Sequence, residues 1–405
     1  MSQAAEVLSA GRPSHLRIVG AVSAAHFVSH YYIILLAPLL PFVRADYGVS
    51  YTEIGLALTA FNVVSAALQT PAGFLVDRVG ARVLLIGGLL IGGAAFIVAG
   101  LIHSYWILVA MFALAGLGNT VYHPADYSIL SHRVPAERIG KAFSVHTFAG
   151  ILGSAVAPGS LLLMQSLWGW RGAFIGAGAL GLIVAAILLT MLDDASPAPS
   201  PASAAPAKTE NAAWGWRLLM SPPILLNLGF FVLLAMISGG MNNYSVVALG
   251  ALYKTPVTIA NAALTGYLGL SAIGVLVGGL LASRTSRHGT VAATGLCIMA
   301  LLTAVVANVD LGTLLLIAVM TLNGLFNGMV MPSRDMIVRS VTPPGSFGKV
   351  FGFVTTGFNI GGMISPLIYG AIMAHGSPRL VFMLAAVCSL LAIGTVAIRP
   401  RRGVG

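Results

Sequence analysis

The feature that most limits what this chain can fold into is a series of long apolar segments. A helix needs about 20 apolar residues to cross a hydrocarbon core of about 30 Å. Twelve segments of this kind follow one another along the 405 residues. The predicted spans, numbered 1 to 12, are 17–43, 51–77, 82–102, 105–131, 139–166, 170–192, 222–248, 259–283, 288–307, 311–338, 346–374 and 378–398. The sequence therefore predicts an all-α polytopic membrane protein.

Composition excludes a water-soluble domain. Charged residues make up 8% of the chain, hydrophobic residues 58%, and the mean hydropathy is +0.93, whereas about a quarter of the residues of a soluble domain are charged. The partner that such a surface requires is the lipid bilayer.

The distribution of basic residues predicts the orientation of the spans. Lys and Arg accumulate on cytoplasmic loops, and if both termini are cytoplasmic, 17 of the 21 basic residues lie on that side. The other four are Arg44, Arg171, Lys254 and Arg379. We therefore expect a multi-pass protein of a bacterial-type inner (cytoplasmic) membrane with both termini in the cytoplasm. The net charge of +10 then reports topology, and no nucleic-acid partner is expected.

One polar segment divides the chain. Residues 193–218 are rich in Ala, Pro and Ser and cannot form a packed core. They predict a cytoplasmic linker between an N-terminal six-helix bundle, 1–192, and a C-terminal six-helix bundle, 219–405.

The two halves are repeats of each other. Shifts of 206 and 208 positions align them without gaps. The matched pairs include Ser65 with Ser271, Gly73 with Gly279, Gly116 with Gly324, Asn119 with Asn327, and Pro124 with Pro332. Because each half holds an even number of spans, the halves share one orientation and are related by an axis along the membrane normal. Two such bundles facing each other across a cavity form a transporter in which one bundle rocks against the other.

The loop after span 2 reads GFLVDRVGAR. It resembles the signature between spans 2 and 3 of the major facilitator superfamily, which it matches at Gly73, Asp77, Arg78, Gly80 and Arg82. Ala81 stands where that signature has a basic residue. The resemblance covers the whole chain, and it implies the twelve-helix fold and a loop that locks one conformation.

Three further stretches resemble the fosmidomycin-resistance exporters within that superfamily. They read HFVSHYYIILLAPLLPFVRADYGVSYTEIG, GLGNTVYHPADYSI and GKAFSVHTFAGILGSAVAPG. Ala125 follows the His-Pro pair where those exporters often have an acid. The resemblance implies a transporter that exports a drug-like compound or a metabolite; it does not identify the substrate.

The energy source follows from a missing motif. No GxxxxGK[ST] loop occurs in the sequence, so ATP is not expected to drive transport. Transport is then either facilitated or driven by an ion gradient. We predict a secondary active transporter, coupled to protons and monomeric, that moves a small molecule by alternating access and needs no cofactor. Two alternatives within this class are an importer of a small organic anion recognised by Arg334 and a copper or zinc transporter. Two alternatives from other functional classes agree less well with the sequence. A membrane metalloenzyme would not need two repeated six-span bundles, and a channel would not use the alternating access that the repeat predicts.

Polar residues inside the spans are the candidate site residues, because ionisable groups are costly in a membrane unless they face a cavity or a partner. The predicted substrate and proton-coupling residues are His26, His30, Tyr31, Tyr122, His123, Asn242, Asn243, Asn327 and Asn359. The uncharged members could equally form hydrogen bonds between helices.

Histidine spacing leaves a second interpretation open. His26 and His30 are four residues apart and share a helical face, so with His123 they could bind a metal ion, assisted by methionines of span 10. Those methionines are Met329, Met331 and Met336. The simpler interpretation is proton relay or hydrogen bonding. His146 shares a face with Gly150 and Gly153, where helices approach closely. Its position is therefore consistent with burial between helices as well as with exposure to the cavity.

The repeat also predicts a gate. Asp126 and Arg334 occupy matched positions on spans 4 and 10, and with Asp335 they could form an ion pair between the halves. The alternative is that each charge finds a partner within its own half.

Overall fold

The computed structural model describes residues 15–135, 138–191, 217–343 and 347–397, and these ranges fold into helices without any strand. The α-helices of the first half are α1 (His15–Ile34), α2 (Leu36–Tyr47), α3 (Tyr51–Val79), α4 (Ala81–Leu101), α5 (Tyr105–Asn119), α6 (Tyr122–Arg133) and α7 (Ile139–Met191). Those of the second half are α8 (Pro222–Ser238), α9 (Ser245–Tyr253), α10 (Val257–Arg284), α11 (His288–Asn308), α12 (Gly312–Val341), α13 (Phe347–Ala374) and α14 (Arg379–Ala397). The all-α membrane fold is thus confirmed.

These helices account for the predicted spans. Within the part of the chain that the structure describes, ten helices are long and apolar enough to cross a membrane, and the bent pair α1 and α2 adds an eleventh. The 51-residue segment Lys141–Met191 would measure about 77 Å as one helix, which is more than twice the hydrocarbon thickness. It turns at Gly169, whose φ of 70° and ψ of 171° are not helical, and therefore forms spans 5 and 6.

Three spans are interrupted, and two of the breaks have a proline beside them. Span 1 bends by 40° between α1 and α2, where Pro38 cannot donate a hydrogen bond to the carbonyl of Ile34. Span 4 breaks just before Pro124, between α5 and α6. Span 7 contains a π-helical turn, Gly239–Tyr244, between α8 and α9. Pro332, the repeat partner of Pro124, leaves α12 continuous.

The repeat detected in the sequence recurs as repeated contacts between helices. In the first half the Asn119 amide donates to the Ser65 hydroxyl at 3.3 Å. In the second half Asn327 donates to Ser271 at 3.0 Å. Since these four residues are the matched positions of the two halves, the repeat preserves a hydrogen bond that joins spans 2 and 4 as well as spans 8 and 10.

The two halves meet along spans 2 and 11 and along spans 5 and 8. We use the term terminus side for the side of the membrane at which α1 begins and α14 ends. Span 2 lies against span 11 through a hydrogen bond from Thr59 to the Met363 carbonyl at 3.3 Å and through close packing of Gly55 on Pro366. On the terminus side a cleft of about 590 Å³ opens between spans 5 and 8, which contact each other elsewhere along their length. The predicted linker lies mostly outside the described residues.

The signature loop has a backbone that explains its glycine. Gly80 adopts φ 104° and ψ 136° between α3 and α4, a region that side chains with a Cβ rarely enter. The Arg82 guanidinium donates to the Leu189 carbonyl at 2.9 Å, near the end of span 6. The side chain of Asp77 lies outside the described part of the chain, so the role of this loop as a lock stays a prediction.

Candidate functional site

Four histidines and one aspartate from three spans form a single cluster inside the first half. His26 and His30 come from span 1, His123 and Asp126 from span 4, and His146 from span 5. We call these five residues the histidine cluster. The sequence predicted three of these histidines as substrate and proton-coupling residues and Asp126 as a gate residue, and it left the environment of His146 open; the structure brings all five together.

Asp126 lies at the centre of the histidine cluster. Its Oδ2 is 3.3 Å from His26 Nδ1 and 3.7 Å from His146 Nε2. The carboxylate is 0% exposed, and among the described residues neither of its oxygens has a partner in hydrogen-bonding geometry. Such a carboxylate in a span is costly unless a charged or polar group compensates it.

The imidazole rings pack closely around this carboxylate. His26 stacks on His146 with ring centroids 3.8 Å apart, and its centroid lies 4.6 Å from that of His30 and 5.2 Å from that of His123. His30 Nδ1 is 3.3 Å from the Ser154 hydroxyl of span 5. The imidazole rings are therefore held in place by contacts with one another and, for His30, by the hydroxyl of Ser154.

Glycines on span 5 make this packing possible. A Cβ at Gly150 would lie 2.5 Å from His26 Cδ2 and 3.0 Å from His30 Cδ2. One turn further along, Gly153 packs on the backbone of Phe27. Spans 1 and 5 approach closely because neither position carries a side chain.

Burial changes across the histidine cluster. His26, Asp126 and His146 are buried, His30 is half-buried and His123 is exposed. Tyr127 links this region to the cleft, since its ring lies 5.1 Å from that of Phe143, which lines the cleft, and 6.3 Å from that of His123.

Arg334 occupies a different environment in the second half. Its Nε donates to Asp335 Oδ1 at 2.8 Å, and its guanidinium carbon lies 4.9 Å from the ring centre of Phe231 and 5.3 Å from that of Phe358. The Arg334 side chain is 14% exposed. Pro332, two residues before it on span 10, lines the cleft.

The predicted gate pair is not formed in this structure. Asp126 contacts His26 and His146, whereas Arg334 is paired with Asp335. Each charged group has its nearest contacts within its own half, because span 4 directs Asp126 toward spans 1 and 5. A pair between Asp126 and Arg334 stays a prediction for another conformation.

The remaining predicted residues have mixed surroundings. Tyr31 is hydrogen-bonded to Ser160 at 2.8 Å, and Asn359 lies across the interface from Gln69 at 3.5 Å. Asn327 is engaged with Ser271. The other three have a buried side-chain oxygen without a hydrogen-bond partner among the described residues, namely Tyr122, Asn242 and Asn243. Both asparagines belong to the π-helical turn of span 7, and such turns often mark functional sites.

The methionines proposed as metal ligands lie on a helix that packs elsewhere. The backbone of Met329 contacts Gly278 of span 8.

His146 was the member of the cluster whose environment the sequence left open. Its spacing of four from Gly150 was the available signal, since Gly150 is the contact point of span 5 with His26 and His30.

Comparison with known proteins agrees with this architecture. The family model described as Major Facilitator Superfamily matches residues 22–257 and again residues 228–404. The chain belongs to the major facilitator superfamily. Each of the two matches covers about one half of the chain, in keeping with the repeat.

Relatives and solved structures extend the comparison. A "probable sulfoacetate transporter" of Cupriavidus necator is 26% identical, over 94% of this chain and 92% of its own length. The fosmidomycin resistance protein of Escherichia coli is 22% identical, over 95% and 93%. The crystal structure of a bacterial homologue of the human lysosomal transporter Spinster, inward-facing and unoccupied, matches with a TM-score of 0.78 at 15% identity, over 95% and 98%. That structural match supports the fold.

The protein is therefore a multi-pass secondary transporter of the major facilitator superfamily and not an enzyme. The resemblance to this superfamily is confirmed, and the fosmidomycin-resistance branch is one of several that the chain is similar to.

Proposed function

We propose that this protein transports a small organic anion by alternating access and that Arg334 binds the anion. The observation that carries the proposal is the environment of Arg334. This guanidinium is mostly buried and lies against the adjoining rings of Phe231 and Phe358. Asp335 engages it through Nε, and Pro332, two residues earlier on the same helix, lines the cleft.

The chemistry of this arrangement suits an anion with two or three oxygens. Guanidinium groups bind carboxylates and sulfonates through paired N–H donors, and contact with aromatic rings favours the charged group by cation–π attraction. The hydrogen bond from Nε to Asp335 leaves the terminal nitrogens for a ligand. Asp335, whose side chain is 45% exposed, compensates the charge of Arg334 when the substrate has left.

The similar transporters include carriers of such anions. Besides the sulfoacetate transporter, a "probable L-galactonate transporter" of Escherichia coli is 30% identical over 35% of this chain. Both names denote organic acids that are anionic at neutral pH. They support the substrate class that Arg334 favours.

The first prediction concerns substrate binding. We expect sulfoacetate, galactonate or a related anion to raise the melting temperature of the purified protein, while the uncharged sugar galactose does not. Arg334→Gln should abolish this stabilisation. Arg334→Lys should weaken binding about tenfold, since a lysine provides a point charge without the planar donors.

The matched control is Arg339→Gln, five residues further along the same helix and exposed. It should keep the stabilisation of the unmodified protein. An anion that stabilises Arg334→Gln and the unmodified protein equally would remove Arg334 from the binding site.

The same proposal includes orientation and driving force. We propose that the terminus side faces the cytoplasm across a bacterial inner membrane, because 17 of the 21 basic residues lie on that side of the sequence-predicted topology. Only Arg44, Arg171, Lys254 and Arg379 lie on the other side. The sequence lacks an ATP-binding loop, so transport is either facilitated or driven by an ion gradient. We propose protons as the coupling ion and a monomer as the functional unit.

The second prediction tests the coupling ion. In proteoliposomes, an imposed proton gradient should concentrate the anion severalfold above equilibrium, and a protonophore should abolish this accumulation. A sodium gradient of equal size is the control and should have no effect. Accumulation that survives the protonophore would contradict proton coupling.

A second candidate function rests on the cleft. Its walls are apolar, and they include Phe143, Phe148, Ile151, Val275, Leu276 and Leu280. Such a lining suits export of a drug-like compound, and the relatives include the fosmidomycin resistance protein and a bacillibactin exporter of Bacillus subtilis. Export would be supported by drug resistance that the gene confers on a sensitive strain and that Arg334→Gln leaves intact.

A further inference from the structure

We propose that the buried part of the histidine cluster is a binding site for a divalent transition-metal ion such as Zn²⁺, Co²⁺ or Ni²⁺. The ligands are one nitrogen each of His26 and His146 and one oxygen of Asp126, and these three atoms lie within 4.8 Å of one another. His26 Nδ1 and His146 Nε2 are the nitrogens that face Asp126 Oδ2. This proposal does not depend on the identity of the transported substrate.

The two separations from Asp126 Oδ2 are closer to those of ligands on one metal ion than to those of hydrogen bonds. Two ligands bound tetrahedrally at about 2.0 to 2.2 Å from one ion lie about 3.3 to 3.6 Å from each other. The distances from Asp126 Oδ2 to the two histidine nitrogens are 3.3 Å and 3.7 Å. A charge-assisted hydrogen bond between these groups would be about 2.7 to 2.9 Å long.

Burial provides an independent observation. His26, Asp126 and His146 are exposed by 4%, 0% and 1%. Both oxygens of Asp126 and both ring nitrogens of His146 have no hydrogen-bonding partner among the described residues, and His26 Nδ1 has none either. One bound ion would satisfy an atom of each side chain and compensate the carboxylate.

The ligand types indicate which ions fit. Two imidazoles and one carboxylate are typical of zinc, and cobalt and nickel bind the same donors. Three protein ligands leave a fourth tetrahedral position for water. His30, held by Ser154 at 3.3 Å, lies next to the ligand His26 and helps to orient its ring.

The position of the site indicates a resident ion. All three ligands belong to spans 1, 4 and 5 of the first half, whereas the transported molecule passes between the halves. The ion would therefore join three helices of one bundle, and it would move with that bundle during transport. The sequence had suggested His26, His30 and His123; the structure favours Asp126 and His146 in place of the last two.

The third prediction tests this site with the full-length protein in detergent. After treatment with a chelator, added Co²⁺ should bind with one equivalent per chain and give the visible absorption of a tetrahedral site, and Zn²⁺ should displace it. Asp126→Asn and His146→Gln should each lower the affinity for Co²⁺ at least about tenfold. The matched controls Asp310→Asn and His375→Gln, both exposed, should leave the affinity unchanged.

X-ray absorption at the zinc edge of the unmodified protein makes the test independent of how the variants fold. The proposal predicts two imidazole nitrogens and two oxygens around the ion. A shell without imidazole, no binding of any of the three ions, or controls that lose affinity as much as Asp126→Asn would each overturn it.

Discussion

Replacing Gly324 by alanine is expected to lower the melting temperature of the purified protein by several degrees, or to prevent recovery of folded protein. A Cβ at this position would collide with the backbone carbonyl of Tyr267, so spans 8 and 10 would have to move apart. Overpacking of this kind typically costs about 1 to 3 kcal/mol of folding free energy, and small residues are what allow membrane helices to pack closely.

The repeat supplies a second copy of the same experiment. Gly116, the match of Gly324, packs on the backbone of Phe61 between spans 2 and 4, so Gly116→Ala should destabilise the first half in the same way. The control is Gly269→Ala on span 8, where a Cβ would meet nothing within 4 Å. This control should be neutral or stabilising. Equal melting temperatures for Gly324→Ala and Gly269→Ala would contradict the prediction.

Much of the fold was predictable from the sequence because it depends on regular patterns. The twelve apolar segments could be identified as spans because the thickness of the bilayer sets the length of a membrane-crossing helix. The repeat could be identified because matched residues recur at fixed shifts, and their contacts recur in the structure. Ser65 with Asn119 and Ser271 with Asn327 form equivalent hydrogen bonds. Gly80 was part of a loop signature, and its positive φ explains why a glycine stands there.

The site was only partly predictable because the spacing of residues along a helix shows which residues share a face but not which neighbouring helix that face contacts. The sequence placed Asp126 and Arg334 at matched positions, which favoured a pair between the halves. In the structure, Asp126 turns toward His26 and His146. A prediction of that contact would have required knowing that Gly150 brings span 5 against span 1. The same limitation applies to Arg334, whose aromatic neighbours lie on spans 7 and 11.

The measurement that tests the proposed transport of organic anions most directly is exchange across a membrane. Proteoliposomes are loaded with the anion that stabilises the protein most, and entry of the labelled anion from outside is followed without any ion gradient. We predict rapid exchange by the unmodified protein and by Arg339→Gln, and at least about tenfold slower exchange by Arg334→Gln, since loss of a charged hydrogen-bonding group at a binding site costs about 1.5 to 3 kcal/mol. Exchange by Arg334→Gln at the rate of the unmodified protein would contradict it.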